Sequence, residues 1–187
     1  MVSGAPNLMD KLFLLSLVGV VAFVSWVGYL AYQEGLKIEA SKRHGELWLQ
    51  WLGNASGQRF QPGFEPAACA AVAAPAAESS EPAAAGPAGA HWGSCYKALT
   101  ESGGAWADLP NAFSGQAVQL VAKCDKSDMS VAGNFFFEKL TPMPPGSAIP
   151  VVSAPLADTD SLDVKVMLRL TLCDKGGDPI RIGEVEF

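Results

Sequence analysis

The chain has 187 residues, 49% of them hydrophobic, with a formal net charge of −6. Its mean hydropathy is +0.19 and its pI is near 4.8. That charge excludes nucleic acid as a principal partner, because phosphate binding requires clustered Lys and Arg. It also argues against electrostatic docking of the C-terminal part on anionic lipid.

From the N-terminus, residues 1–11 read as a short tail. Residues 12–32, Leu12 to Tyr32, contain no charged side chain over 21 positions. A helix needs roughly 20 apolar residues to cross a bilayer core of about 30 Å. The segment therefore predicts one transmembrane helix with the lipid bilayer as its partner. Trp26, Tyr29 and Tyr32 gather toward its second end, where amphipathic rings settle at an interface. The run is too long for the apolar region of a cleaved signal peptide, and it lacks a fitting pair of small residues at a cleavage site. Small residues recur at every third position from Ser16 to Ala31. A step of three lags the helical turn, so this row winds around the helix.

Residues 33–53 continue as a membrane-proximal amphipathic helix. Leu36, Ala40, Leu47 and Trp51 form its expected apolar stripe. Trp48 and Trp51 are expected to rest at the membrane interface or against a partner helix. Gly53-Asn54 is the expected stop, since both residues tolerate left-handed backbone. Asn54-Ala55-Ser56 matches a glycosylation acceptor tripeptide, a pattern common by chance.

Residues 54–90 read as a flexible tether. Thirteen Ala and four Pro occur in the 25 residues from Pro66 to Ala90. Such a composition cannot bury a core. Cys69 lies within it and is expected to be exposed.

Residues 91–187 read as a small mainly-β domain, an antiparallel sheet or sandwich of five to six strands. Ala117–Lys123 and Val131–Leu140 carry strand patterns, and Ala148–Val152 is an expected edge strand. Leu162 to Leu172 alternates with period two, so Val164 is expected inward with Leu162 and Val166. Asp174 to Pro179 is a turn, and Ile180, Ile182 and Val185 belong to the returning strand of a hairpin. A short helix is expected over Tyr96–Thr100.

Cys124 and Cys173 each close an apolar run and open an Asp-Lys turn. They are the expected disulfide, with Cys95 paired to Cys69 or left unpaired. An even cysteine count fits an oxidising compartment. The cysteines stand 26, 29 and 49 residues apart, unlike the close ligand pairs of zinc sites. Asp158, Asp160 and Asp163 lack the spacing of a calcium loop. We therefore expect no metal, no cofactor and no catalytic residues. An envelope enzyme built on His91 and Cys95 is the alternative from that class.

The layout, a long N-terminal helix followed by a sheet with a late cysteine pair, is broadly similar to type IV pilins and pseudopilins. The similarity is one of architecture, and the sequence is identified with no family. Pilins carry a cleavage Gly directly before the apolar run and a Glu early within it. Here Gly4 precedes Ala5-Pro6-Asn7, the run starts at Leu12, and it contains no Glu.

The functional expectation is a single-pass protein of the inner (plasma) membrane. Its β-domain is expected outside the cytoplasm, binding another protein within a larger assembly. Lys37, Lys42 and Arg43 favour the opposite, cytoplasmic orientation of that domain by the positive-inside bias. A small-ligand or sensor domain and a pilin-like subunit are the other readings.

Overall fold

The computed structural model describes residues 7–71, 90–143 and 151–187. Contacts divide the chain into two units, residues 1–39 and 40–187. Helix α1, Leu8–Gln58, contributes to both.

Over residues 8–32 α1 is exposed on all sides. Leu12, Phe13, Leu15, Val18, Phe23, Val24 and Leu30 are all more than half exposed, as are Trp26, Tyr29 and Tyr32. This stretch is long and apolar enough to cross a membrane. A soluble helix exposing apolar residues on every face would have nothing to bury them against.

The second unit holds the rest of α1, helix α2 (Trp92–Thr100) and four strands. The strands are β1 (Phe135–Pro142), β2 (Val151–Pro155), β3 (Met167–Cys173) and β4 (Pro179–Glu186), in the order β2-β1-β3-β4. All three pairings are antiparallel, with Phe137 opposite Leu170 and Leu170 opposite Gly183. Among the described residues the count is four strands rather than five or six. Residues 117–123 pair only through single bridges, Ala117 with Pro110 and Leu120 with Phe135. The alternating run forms a ladder only from Met167. Val164 is 65% exposed while Leu162 and Val166 are buried, because the segment before β3 is not held in a sheet. The hairpin of β3 and β4 and its Asp174–Pro179 turn stand where the sequence places them. Pro144, Pro145 and residues 148–150 lie outside the described residues.

The membrane-proximal helix differs most from expectation. Its buried face is Ser41, Gly45, Trp48, Leu52 and Ala55, a spacing of three and four that defines one helical stripe. Leu36 and Leu47, expected on the apolar stripe, are 47% and 44% exposed. Small residues decide the face. A Cβ at Gly45 would stand 3.0 Å from Phe135 and 3.2 Å from Ile182. A Cβ at Gly183 would stand 2.8 Å from Leu49. Helix and sheet thus meet at close range, each through a glycine, and Trp48 fills the space beside that contact. α1 also runs through Gly53-Asn54 to Gln58, because Gly53 sits against Val185. The left-handed glycine that redirects the chain is Gly63, with φ of 81°.

Trp48 is fully buried. Its ring stacks on Trp106 at 4.3 Å, with Phe135 at 5.0 Å and Phe137 at 6.3 Å. α2 adds Trp92, Cys95 and Leu99 to the same core. Truncating Trp48 to Ala should lower the unfolding free energy of the full chain in detergent by about 3–5 kcal/mol. Leu47→Ala, one position away, should change it by less than about 1 kcal/mol. Comparable losses in chemical denaturation would place the buried face wrongly.

Candidate functional site

Cys124 and Cys173 are bridged, with Cα atoms 5.2 Å apart. The bridge joins the start of the Cys124–Asp128 turn to the end of β3. The Asp174 turn nests beside that segment. Gly177, with φ of 74°, leaves no room for a Cβ, which would meet the Asp125 carbonyl at 2.5 Å. Lys126 reaches across to Asp178 at 2.5 Å.

Cys69 and Cys95 form the second bridge, with Cα atoms 4.5 Å apart. Cys69 is fully buried rather than exposed. The tract expected as a tether between anchor and domain therefore has its two flanks pinned together inside the second unit. Residues 72–89 lie outside the described residues. Cys95 spends its thiol on this bridge, which leaves the His91 and Cys95 arrangement without a nucleophile. By loop length, each bridge stabilises by roughly 3–4 kcal/mol in the chain-entropy account.

Trp26, Tyr29 and Tyr32 are exposed on the first unit. Trp48 belongs to the core and not to an interface. Trp51 is half-buried against Trp106, Phe64 and Phe187. In the acceptor tripeptide Asn54-Ala55-Ser56, Ala55 and Ser56 are buried in the last turns of α1.

Several residues that organise the domain carry no sequence signal. Arg59, just beyond α1, is fully buried. Its guanidinium donates to the carbonyls of Leu162 and Val164, the latter at 2.7 Å. It also lies 4.6 Å from the ring centres of both Phe60 and Phe187. Burial lowers its pKa, opposed by the nearby charge of Asp163. Asn111 and Asn134 form a buried pair. Asn111 donates to the carbonyl of Ala132 and to Asn134, and accepts from the backbone of Phe113 and Ser114. These bonds hold the irregular 111–134 segment, where no ladder satisfies the backbone.

Among the described residues, no three His, Cys, Asp or Glu side chains converge as metal ligands. Asp160 pairs with Lys139 at 2.6 Å and Asp163 accepts from Ser161. One open groove of about 560 Å³ runs between Trp51, Glu65, Pro66 and the Gly103-Gly104 turn. Another, of about 370 Å³, lies at the sheet edge between Leu120, Val121, Phe137, Pro155 and Leu156.

Among the described residues the sheet has two open edges of different character. β4 carries Arg181, Glu184 and Glu186, and a register shift opposite Leu170 and Thr171 interrupts its ladder. Charges and bulges are the usual guards of an edge. β2 reads Val-Val-Ser-Ala-Pro, is exposed throughout and carries no charge.

Compared with protein families, curated proteins and solved structures, the chain matches none.

The acidic turns give the domain a pH signature. Bonds from the hydroxyl and backbone N–H of Ser127, helped by Lys123, hold Asp125 down at about 2. Asp128 is lowered by Ser130, and Asp160 chiefly by Lys139. Carboxyls depressed in the folded state add stability above their unfolded pKa and lose it as pH falls through the folded value. Tm should therefore hold steady above about pH 5 and fall between about pH 4 and 2. Asp160→Asn should flatten part of that fall, and an unchanged thermal profile across this window would contradict the pairing.

Proposed function

We propose that this protein is a non-catalytic, single-pass subunit of a larger assembly at the inner (plasma) membrane, with its C-terminal domain outside the cytoplasm as a protein-binding module. One observation carries the reading. A single helix exposes apolar side chains on every face over its first half and supplies the core of a disulfide-stapled sheet domain with its second. Lipid, or apolar helices within lipid, is the medium that accepts the first half. Two disulfide bridges, one of them fully buried, suit an oxidising compartment and outweigh the small positive-inside bias of Lys37, Lys42 and Arg43.

A pilin-like subunit is the second reading. The observation favouring it is that the helix bearing the apolar half enters the domain itself, with no tether in between. A chain of that kind should crosslink to itself in ladders, whereas an accessory subunit should give one heterologous adduct.

Localisation and topology are testable together. The chain should fractionate with membranes and resist carbonate extraction. In cells with a permeabilised outer membrane, an impermeant maleimide should label cysteines only after reduction and unfolding. Labelling that requires rupture of the inner membrane, without prior reduction, would place the domain in the cytoplasm with free thiols.

A further inference from the structure

The outer edge of β1 is shared by two segments. Over its first residues the 119–121 segment lies alongside: Phe135 donates to the Gln119 carbonyl and Val121 donates to the Phe135 carbonyl. Farther on, Leu156 donates to the Phe137 carbonyl, and β2 pairs from Pro155, opposite Glu138. No backbone hydrogen bond between described residues joins the two segments. Between them lies the groove of about 370 Å³ lined by Leu120, Val121, Phe137, Pro155 and Leu156, with the exposed Asp158 also on its lining. The groove is therefore an apolar slot set into the end of an uncharged, exposed edge strand.

We propose that β2 and this slot form a docking site for an extended segment of a different protein, one bearing a large apolar residue flanked by Lys or Arg. The inference rests on the reading of the domain as a protein-binding module. An extended segment is the natural occupant of a strand edge, because the backbone supplies the hydrogen bonds and alternate side chains supply selectivity. Val151 and Val152, 40% and 43% exposed, border that edge. The slot takes the anchor side chain. Its charge preference follows from the rim. Asp160 is neutralised by Lys139, whereas Asp158 is exposed and forms no ion pair with a described residue. A cation beside the anchor would meet Asp158.

Neither described edge strand of a second copy fits the site. Its β2 offers neither a large anchor nor a cation. Its β4 carries Arg181, but the adjoining Ile182 is already committed against Gly45, and the β4 edge is guarded by its own charges.

The test uses the full chain in detergent micelles and a fluorescent nine-residue peptide, Thr-Val-Lys-Val-Phe-Val-Lys-Thr-Val. Fluorescence anisotropy should show saturable binding, weakened at least about tenfold when the central Phe is Ala (a loss of about 1.4 kcal/mol). Ala157→Trp, which fills the slot, should weaken it similarly. Asp158→Lys, a change at an exposed site that spares the core, should abolish the preference for the Lys peptide over its Glu counterpart. No binding to the wild-type chain, or equal binding of the Phe and Ala peptides, overturns the proposal. So does an Asp158→Lys chain that retains the Lys preference. If the wild-type chain sediments as a dimer that Asp158→Lys dissociates, a second copy holds the edge and the proposal is wrong. In cells, adducts with a partner that persist unchanged in Ala157→Trp would remove the edge assignment and leave the module reading standing. Absence of any adduct would remove the module reading itself.

Discussion

The close approach of α1 to the sheet is the contact on which the second unit depends. Gly45 brings the helix within van der Waals range of Phe135 and Ile182. Trp48 then occupies the middle of an aromatic cluster that draws on α1, α2, the Trp106 turn and β1. Four strands alone could cover one face of a small sheet only with loops. With the helix in place, Phe135, Phe137, Leu168, Leu170 and Leu172 all become buried. A side chain at Gly45 would separate the layers and open the space that Trp48 fills.

That dependence changes what the N-terminal half of the chain is. The helix is not a leash from which a finished domain hangs. Residues 40–58 are a structural layer of the domain, and the same helix carries the apolar stretch upstream. Deleting the apolar stretch too generously would remove the core of the domain along with it. The domain's lower boundary therefore falls near Ala40 and not near His91.

What could be read from the sequence follows from how local each signal is. The apolar run from Leu12 to Tyr32 and the β3–β4 hairpin declare themselves through composition and period two, which need no tertiary partner. The Cys124–Cys173 bridge was legible because two cysteines share one context, a strand end opening into an Asp-Lys turn. The buried face of α1 was not legible. Leu36 and Leu47 outweigh Ser41 and Gly45 in apolarity, yet tight packing selects the small residues. Ala117–Lys123 shows why a β-like composition is insufficient: the segment meets β1 only around Phe135, through Gln119, Leu120 and Val121, and the Asn134 side chain takes the Gln119 N–H that a ladder would have taken. Arg59 gave no signal because nothing local marks an arginine whose partners are carbonyls 103 and 105 residues away. The open β2 edge was anticipated only in general terms, since its slot arises where two distant segments meet one strand.

The Cys69–Cys95 bridge turns the Ala/Pro-rich stretch into a covalent ring. Its ends are fixed, so its length scarcely affects the fold, because doubling a closed loop costs only about 0.6 kcal/mol of closure entropy. Chain length in this interval is therefore only weakly constrained by the stability of the core. A protease that cuts anywhere inside the ring releases nothing: the two fragments remain one molecule until the bridge is reduced. In an oxidising compartment, the stretch of this chain least able to build a core is also one whose breakage leaves the apolar helix and the domain joined.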